Sequence, residues 1–467
     1  MIHKNLFIKT IFYIAVFSCF YSCAIIDEDS DSSVNSQTFI YSPNKLVDLS
    51  INGATPPVMI ALNTRKSSAL SVQSAGITPK IQQSNPLFSK KEPNYRPSLS
   101  TSLAKTKDIT QEQTSGPLFS VTDTTTTTSF KVFNVNNTAD FSTIVTNRVY
   151  NGTYCYIFIN SLDQSSVSQS DINEVGAFFD STIYPAAQQN LTTFYDVDNN
   201  NKLIILLYDM GNSDVLGYFW NEDFYSSSIP YTNTADMIYI NASLFKSLKA
   251  SSDVNEQTSI LNTINDTVAH ELQHLLNFSA RIKSNSNVIN SYETWIEEGI
   301  AEGVTPLLTG NSGSYLFNEL DNIFIKNGLG LFNWNDLGSD YVLSFTFFEY
   351  LRIQCNLDIS FYKSLMNNFN MGSSYIVVED VVESANDNPF TDFDDAVLSY
   401  KIANFYNLGT GKYGYKNQYS LPQLTSPTDS NVTLQAGGSG YFDSNLSDFT
   451  PTNVGDDVYY YRINYTP

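Results

Sequence analysis

Residues 270–274 read His-Glu-Leu-Gln-His. On a helix, positions i and i+4 lie one turn apart on the same face, so His270 and His274 can aim two imidazole nitrogens at one metal ion. Glu271 is rotated about 100° from His270, which lets its carboxylate approach a metal-bound water without becoming a ligand. Two ligands and a general base on one turn are the physical content of an H-E-x-x-H signature. Among 467 residues there are only three histidines, His3, His270 and His274. A catalytic zinc takes three protein ligands and keeps one position open, so within this chain a carboxylate has to complete the set. A closed structural zinc site is disfavoured, because such sites use four His or Cys ligands.

The acids that could serve lie in Trp295-Ile296-Glu297-Glu298-Gly299-Ile300-Ala301-Glu302. Glu298 and Glu302 form an i,i+4 pair and share a helix face; Glu297 is the competing ligand. Together the two segments resemble the gluzincin metallopeptidases, whose third ligand is a Glu in a W-x-x-E-G type motif, and most closely the hyicolysin-like zinc metallopeptidases. The resemblance spans roughly residues 150–410, with its specific motifs confined to these two segments. It implies Glu298 as third ligand and Glu302 as the acid that orients His270. It also implies one catalytic Zn2+ and a zinc-dependent endopeptidase. In such an enzyme the metal lowers the pKa of its water, and Glu271 carries that water's proton to the leaving amine. Thermolysin-like enzymes add a histidine as oxyanion donor, and none is to spare here, so a Tyr or Arg must take the role. Tyr341, in Tyr341-x-x-Ser344-x-x-Phe347-x-x-Tyr350-Leu351, is the candidate, set against a packing role in an aromatic-rich chain. The G-x-M-E-N motif of the aminopeptidase gluzincins is missing, so exopeptidase chemistry is not implied. Zincins pair their substrate with a sheet edge, and Ala235–Asn241, just before the motif helix, is the expected edge.

These residues need elements to position them. Ile260, Ile264, Val268, Leu272 and Leu275 recur at steps of three and four and predict a helix over 253–282, capped by Ser252 or Asp253. A second helix is expected over 292–306, with helical patterns at 172–184 and near 341–354, 358–369 and 391–407. Lys202–Tyr208 is a continuous apolar run of strand length, expected in a sheet covered on both faces. Met237–Ile240 is another strand. Residues 58–62, 119–160 and 458–463 also read as β structure. The fold class is α+β: a zincin-like domain at 118–412 with a mixed sheet and a helical second half, a β-rich N-terminal region with linker at 39–117, and a small β-rich region at 413–467. Asp196, Asp198 and Asn200 have the spacing of a Ca2+ loop. However, the Gly of position six is Asn201 and the Glu of position twelve is Leu207, so a turn leading into the strand is the better reading.

Lys4 and Lys9 followed by apolar Ile11–Phe20 read as a signal peptide over 1–22, too short to span a bilayer. Ser22-Cys23 after that run resembles a bacterial lipoprotein cleavage site. The resemblance implies lipidation at Cys23 (Cys19, after Ser18, also fits), a tether over 23–38, and export to the cell envelope, at the outer membrane or cell surface. Cys155 and Cys355 read as two buried thiols rather than a pair. The net charge of −22 argues against nucleic acid as a partner, since such grooves are cationic. The expected partners are protein or peptide substrates and the membrane that holds the anchor, with the chain a monomer. A non-catalytic surface lipoprotein on the same scaffold, an adhesin or binding module, is the alternative.

Overall fold

The computed structural model describes residues 46–66, 73–76, 121–135, 137–225, 232–284, 292–368, 372, 374–422, 424, 431–443 and 457–466. The signal, tether and Cys23 expectations lie outside the described residues, as does most of the expected linker.

The protein is α+β. Its central sheet has the order β4-β5-β6-β7-β9-β8, built from β4 (Thr127–Asn134), β5 (Asn137–Asn151), β6 (Cys155–Asn160), β7 (Leu203–Tyr208), β8 (Gly217–Phe219) and β9 (Met237–Asn241). β6, β7 and β9 run parallel; β4, β5 and β8 pair antiparallel. β7 shows why an apolar run rather than an alternating one encodes a central strand. Leu203, Ile205 and Leu207 enter the large core shared with the helices. Ile204, Leu206 and Tyr208 enter a second core with Phe130, Phe158 and Tyr239 on the other face. Successive side chains point to opposite faces, so a strand buried on both has no polar position.

Strands from the two ends of the described chain share a second sheet. β1 (Leu46–Asn52), β2 (Val58–Asn63), β11 (Ser439–Asp443) and β12 (Val458–Thr466) lie in the order β1-β12-β2-β11. β3 (Gln73–Gly76) and β10 (Asn431–Leu434) form a separate antiparallel ribbon.

Helix α1 (Gln169–Phe178) continues through a π-helical turn into α2 (Tyr184–Asn190), and α3 (Ala242–Ala250) follows β9. The long helix α4 (Val254–Lys283) starts at Asp253, whose side chain accepts from the Asn255 and Glu256 amides, so the acid is the cap. Its first two turns face solvent, and the rest, from Ile264 to Arg281, is nearly all buried. α5 (Thr294–Thr309) packs beside it. After the short α6 (Ser314–Asn318) and α7 (Ile323–Lys326) come α8 (Gly338–Gln354), α9 (Ser360–Asn367), α10 (Ile376–Glu383) and α11 (Phe393–Tyr406). The glycines of α5 are spacing residues. A Cβ at Gly299 would strike the Phe348 ring, and one at Gly303 the Tyr362 ring and hydroxyl, so both permit close packing of α8 and α9. Among the described residues no helix is long and apolar enough to cross a membrane. Cys155 and Cys355 are separate buried thiols.

Candidate metal centre

α4 carries His270, Glu271 and His274 on its buried half, and α5 carries Glu297, Glu298 and Glu302. The packing of the two helices brings His270, His274 and Glu298 into one group able to hold a metal ion. The Nε2 atoms of the two histidines are 3.0 Å apart. Glu298 Oε2 lies 3.2 Å from Nε2 of His270 and 3.6 Å from that of His274. Both Glu298 oxygens are buried, and no donor other than the two imidazoles faces them. A point equidistant from these three atoms is about 1.9 Å from each, close to the ligand distances of about 2.0–2.2 Å that zinc takes with N and O donors. Two imidazoles and a carboxylate are also a donor set zinc accepts. The residues therefore fit such an ion.

The electrostatics are those of mutually facing donors. Burial works against charge on Glu298, but the His274 and His270 imidazoles outweigh it and hold the carboxyl at about 2. Burial likewise works against protonating either imidazole, and the facing Glu298 carboxylate raises both above the usual histidine value. Glu302 Oε1 sits 3.4 Å from His270 Nδ1, on the ring nitrogen turned away from the cluster.

Glu271 is fully buried, and neither of its carboxylate oxygens has a side-chain hydrogen-bond partner; the Phe219 backbone amide of β8 is the polar group that favours its charged form. Burial pushes it up to about 8; Glu298 and Glu302 add to the rise and His270 opposes it. Glu297 does a different job from its neighbour. It pairs with Arg281, accepts from the Asn277 side-chain amide, and takes the Tyr292 backbone amide at 2.9 Å. Tyr341 is buried in the first turn of α8, its ring edge-on to Trp334 at 4.8 Å.

One expectation is corrected. Ala235–Asn241 is not the sheet edge, because β9 is paired on both sides, with β7 and with β8. The edge beside β9 is β8, which packs against α4; the other edge is β4. At Gly217 an added Cβ would meet Tyr239 O at 2.8 Å, Thr267 Cγ2 at 2.9 Å and Glu271 Cγ at 3.1 Å. With only three residues, β8 is too short for alternation to announce it. Sequence reasoning also missed Arg281 and Asn277 as holders of Glu297. It missed as well Asp236, which joins Asp196 and Asp198 in a second group of acids able to hold a metal ion.

No protein-family model matches the chain. Over 334 residues it is 22% identical to the neutral metalloprotease ShpI of Staphylococcus hyicus, an alignment covering 67% of this chain and 71% of that protein. Among solved structures, an aminopeptidase N family protein from Idiomarina loihiensis aligns at a TM-score of 0.29 and 11% identity. That alignment covers 54% of this chain and 46% of the other. The kinship, to a metalloprotease, is a distant one.

Proposed function

We propose that the chain is a zinc-dependent endopeptidase, with His270, His274 and Glu298 as ligands. The observation that carries this reading is the convergence of three buried donor atoms beside a fourth group, Glu271, whose buried carboxylate no side chain satisfies. A carboxylate left unsatisfied in the interior is costly, and a catalytic base waiting for substrate water gives it a use. The distant relation to a metalloprotease supports the same reading.

When bound, the ion supplies Lewis-acid polarisation and lowers the pKa of water. The chain's own residues do the rest. Glu271, raised toward neutrality by burial, accepts a proton from the attacking water and delivers it to the leaving amine. Glu302 accepts from His270 Nδ1–H, fixing the tautomer that leaves Nε2 free as a donor atom. Tyr341 is the candidate to donate a hydrogen bond to the oxygen that becomes negative in the transition state. We assign protein or peptide substrates to the site, and a lipid on Cys23 that anchors an exported monomer to the cell envelope.

The test is cleavage of casein or gelatin by the purified mature chain, alongside Glu271→Gln and a chelator-treated sample. Cleavage lost in both controls is expected. If zinc-loaded wild type cuts no protein substrate, the non-catalytic binding scaffold takes its place. Cleavage that survives Glu271→Gln removes the assigned base.

A further inference from the structure

A second acidic cluster lies away from the zinc-ligand candidates. Asp196 and Asp198 belong to the loop before β7; Asp236 immediately precedes β9. β7 and β9 are parallel neighbours, in register at Ile204 and Met237, and Ile204 N donates to Asp236 O at 3.0 Å. The pairing therefore delivers Asp236 to the loop, and one oxygen from each of the three carboxylates comes within 4.8 Å of the others. Asp198 and Asp236 are each 1% exposed. Among the described residues no lysine or arginine forms an ion pair with any of the three.

The loop folds around these carboxylates. Asp196 accepts from the amides of Asn200 and Asn201, both at 3.0 Å. Asp198 accepts from the Asn200 side chain at 2.7 Å. Asp236 Oδ1 accepts from Val197 N at 3.0 Å, which seats its carboxylate between Asp196 and Asp198. Its other oxygen, Oδ2, is buried with no hydrogen-bond partner at all. Three carboxylates closing on one another in the interior repel, and an unsatisfied buried oxygen adds to the cost. A divalent cation removes both problems.

We propose that Asp196, Asp198 and Asp236 bind a calcium ion. The donors are oxygens only, which suits a hard cation; zinc prefers the nitrogen or sulfur donors that this cluster lacks. Calcium tolerates irregular oxygen shells, where magnesium demands a near-ideal octahedron. As a linear calcium loop the sequence is incomplete, since Leu207 stands where the loop's last acid belongs. Asp236 supplies that acid from the neighbouring strand. The same segment docks on the helix bearing His270 and His274. Tyr195 N donates to Ser279 Oγ at 3.0 Å, and Lys283 Nζ donates to Thr193 O at 2.7 Å. The ion thus stiffens a loop on which α4 rests.

The experiment is calorimetric titration of calcium chloride into the zinc-loaded mature chain, with unfolding temperature followed in parallel. Wild type, Asp236→Asn, Asp196→Asn and Glu298→Gln are compared, with magnesium as the competing ion. The expected result is one calcium per wild-type chain, with a rise in unfolding temperature that saturates with calcium. Binding is expected to weaken about a hundredfold or more in both aspartate variants, because calcium affinity follows the ligand charge count, and to persist in Glu298→Gln. If Asp236→Asn does not fold, the partly exposed Asp196→Asn decides alone. The proposal is overturned if wild type shows no saturable binding up to about 10 mM calcium, above the range extracellular modules need. Binding that is undiminished in the aspartate variants, lost in Glu298→Gln, or equal for magnesium overturns it as well. Zinc content and casein cleavage do not enter the readout, so failure here leaves the peptidase reading to its own test.

Discussion

The guanidinium of Arg281 closes on the carboxylate of Glu297 in the interior, each side chain 3% exposed. The residue next to Glu297 in sequence, Glu298, is turned instead toward two imidazoles. Adjacent helical positions differ by about 100°, so two neighbouring glutamates cannot share one task. Glu297 ties α5 to α4 through Arg281 and Asn277, and so sets the distance across which Glu298 meets His270 and His274. Breaking a buried pair by removing one partner costs about 3–5 kcal/mol. Glu297→Ala is therefore expected to destabilise by that amount in urea melts while retaining one zinc per chain, whereas Glu298→Ala loses zinc. Metal analysis by mass spectrometry decides it: zinc lost from Glu297→Ala and kept by Glu298→Ala reverses the assignment.

Glu302 Oε1 faces the far nitrogen of His270. Such outer partners orient the ring, and their loss typically weakens metal binding about 10–100-fold. Glu302→Ala should weaken zinc affinity in this range in a chelator competition, with little change in circular dichroism. Unchanged affinity would show that the 3.4 Å approach of Glu302 to His270 Nδ1 orients nothing.

Glu271 predicts an opposite pairing of effects. Its oxygens have no side-chain partner to lose, and an amide oxygen can still accept from the Phe219 backbone, so Glu271→Gln should keep zinc and keep or raise the unfolding temperature. The rate of casein cleavage should fall by about 10²–10⁴, the contribution of a positioned general base. A variant that loses zinc as well as activity would mean that Glu271 builds the site rather than acting in it.

Gly217 controls how closely the edge strand approaches Glu271. An added methyl group would press on a backbone carbonyl, Tyr239 O, as well as on Thr267 and Glu271, and backbone yields less readily than the end of a side chain. Gly217→Ala is expected to cost about 1–3 kcal/mol, as overpacking does, and to slow cleavage by displacing β8 from α4. Wild-type melting and wild-type rate together would refute it.

The motif helix was legible because its chemistry is local: His270, Glu271 and His274 sit within one turn, and their apolar neighbours recur at helical spacing. β7 was legible because burial on both faces leaves an unbroken apolar run. Between Glu298 and Glu297 the sequence offered only a shared helix face and a resemblance; Arg281, which pairs with Glu297, lies on another helix. The approach of Asp236 to Asp196 and Asp198, and that of Gly217 to Glu271, were not legible. Each residue acquires its neighbours from strand pairing, β9 with β7 and β8 with β9, and pairing partners leave no local trace in sequence. The three-residue β8 also lacks the length from which a period can be read. Taking Ala235–Asn241 as the edge followed from its place before α4, and sheet order does not have to follow chain order.

Lys401 on α11 offers a stability prediction independent of the metal centre. Its side chain is buried, its ammonium 5.1 Å from the Tyr400 ring centre, and among the described residues no carboxylate pairs with it. Burial alone lowers its pKa from the ordinary 10.5 to about 7. Below pH 7 the folded and unfolded chains both hold the proton, and the folded state bears the full cost of a buried charge. Between about pH 7 and 10.5 the unfolded chain holds a proton that the folded chain has released, so this residue's contribution to stability rises with pH across that window. Lys401→Met keeps the length and apolar character of the stem without the charge. It should stabilise by a few kcal/mol at pH 6, because each tenfold loss of proton affinity on folding costs about 1.4 kcal/mol, and the gain should shrink toward pH 10. Urea midpoints of wild type and variant at pH 6, 8 and 9.5 measure the difference. A constant offset across the three would mean that Lys401 reaches solvent and keeps its proton in the folded state.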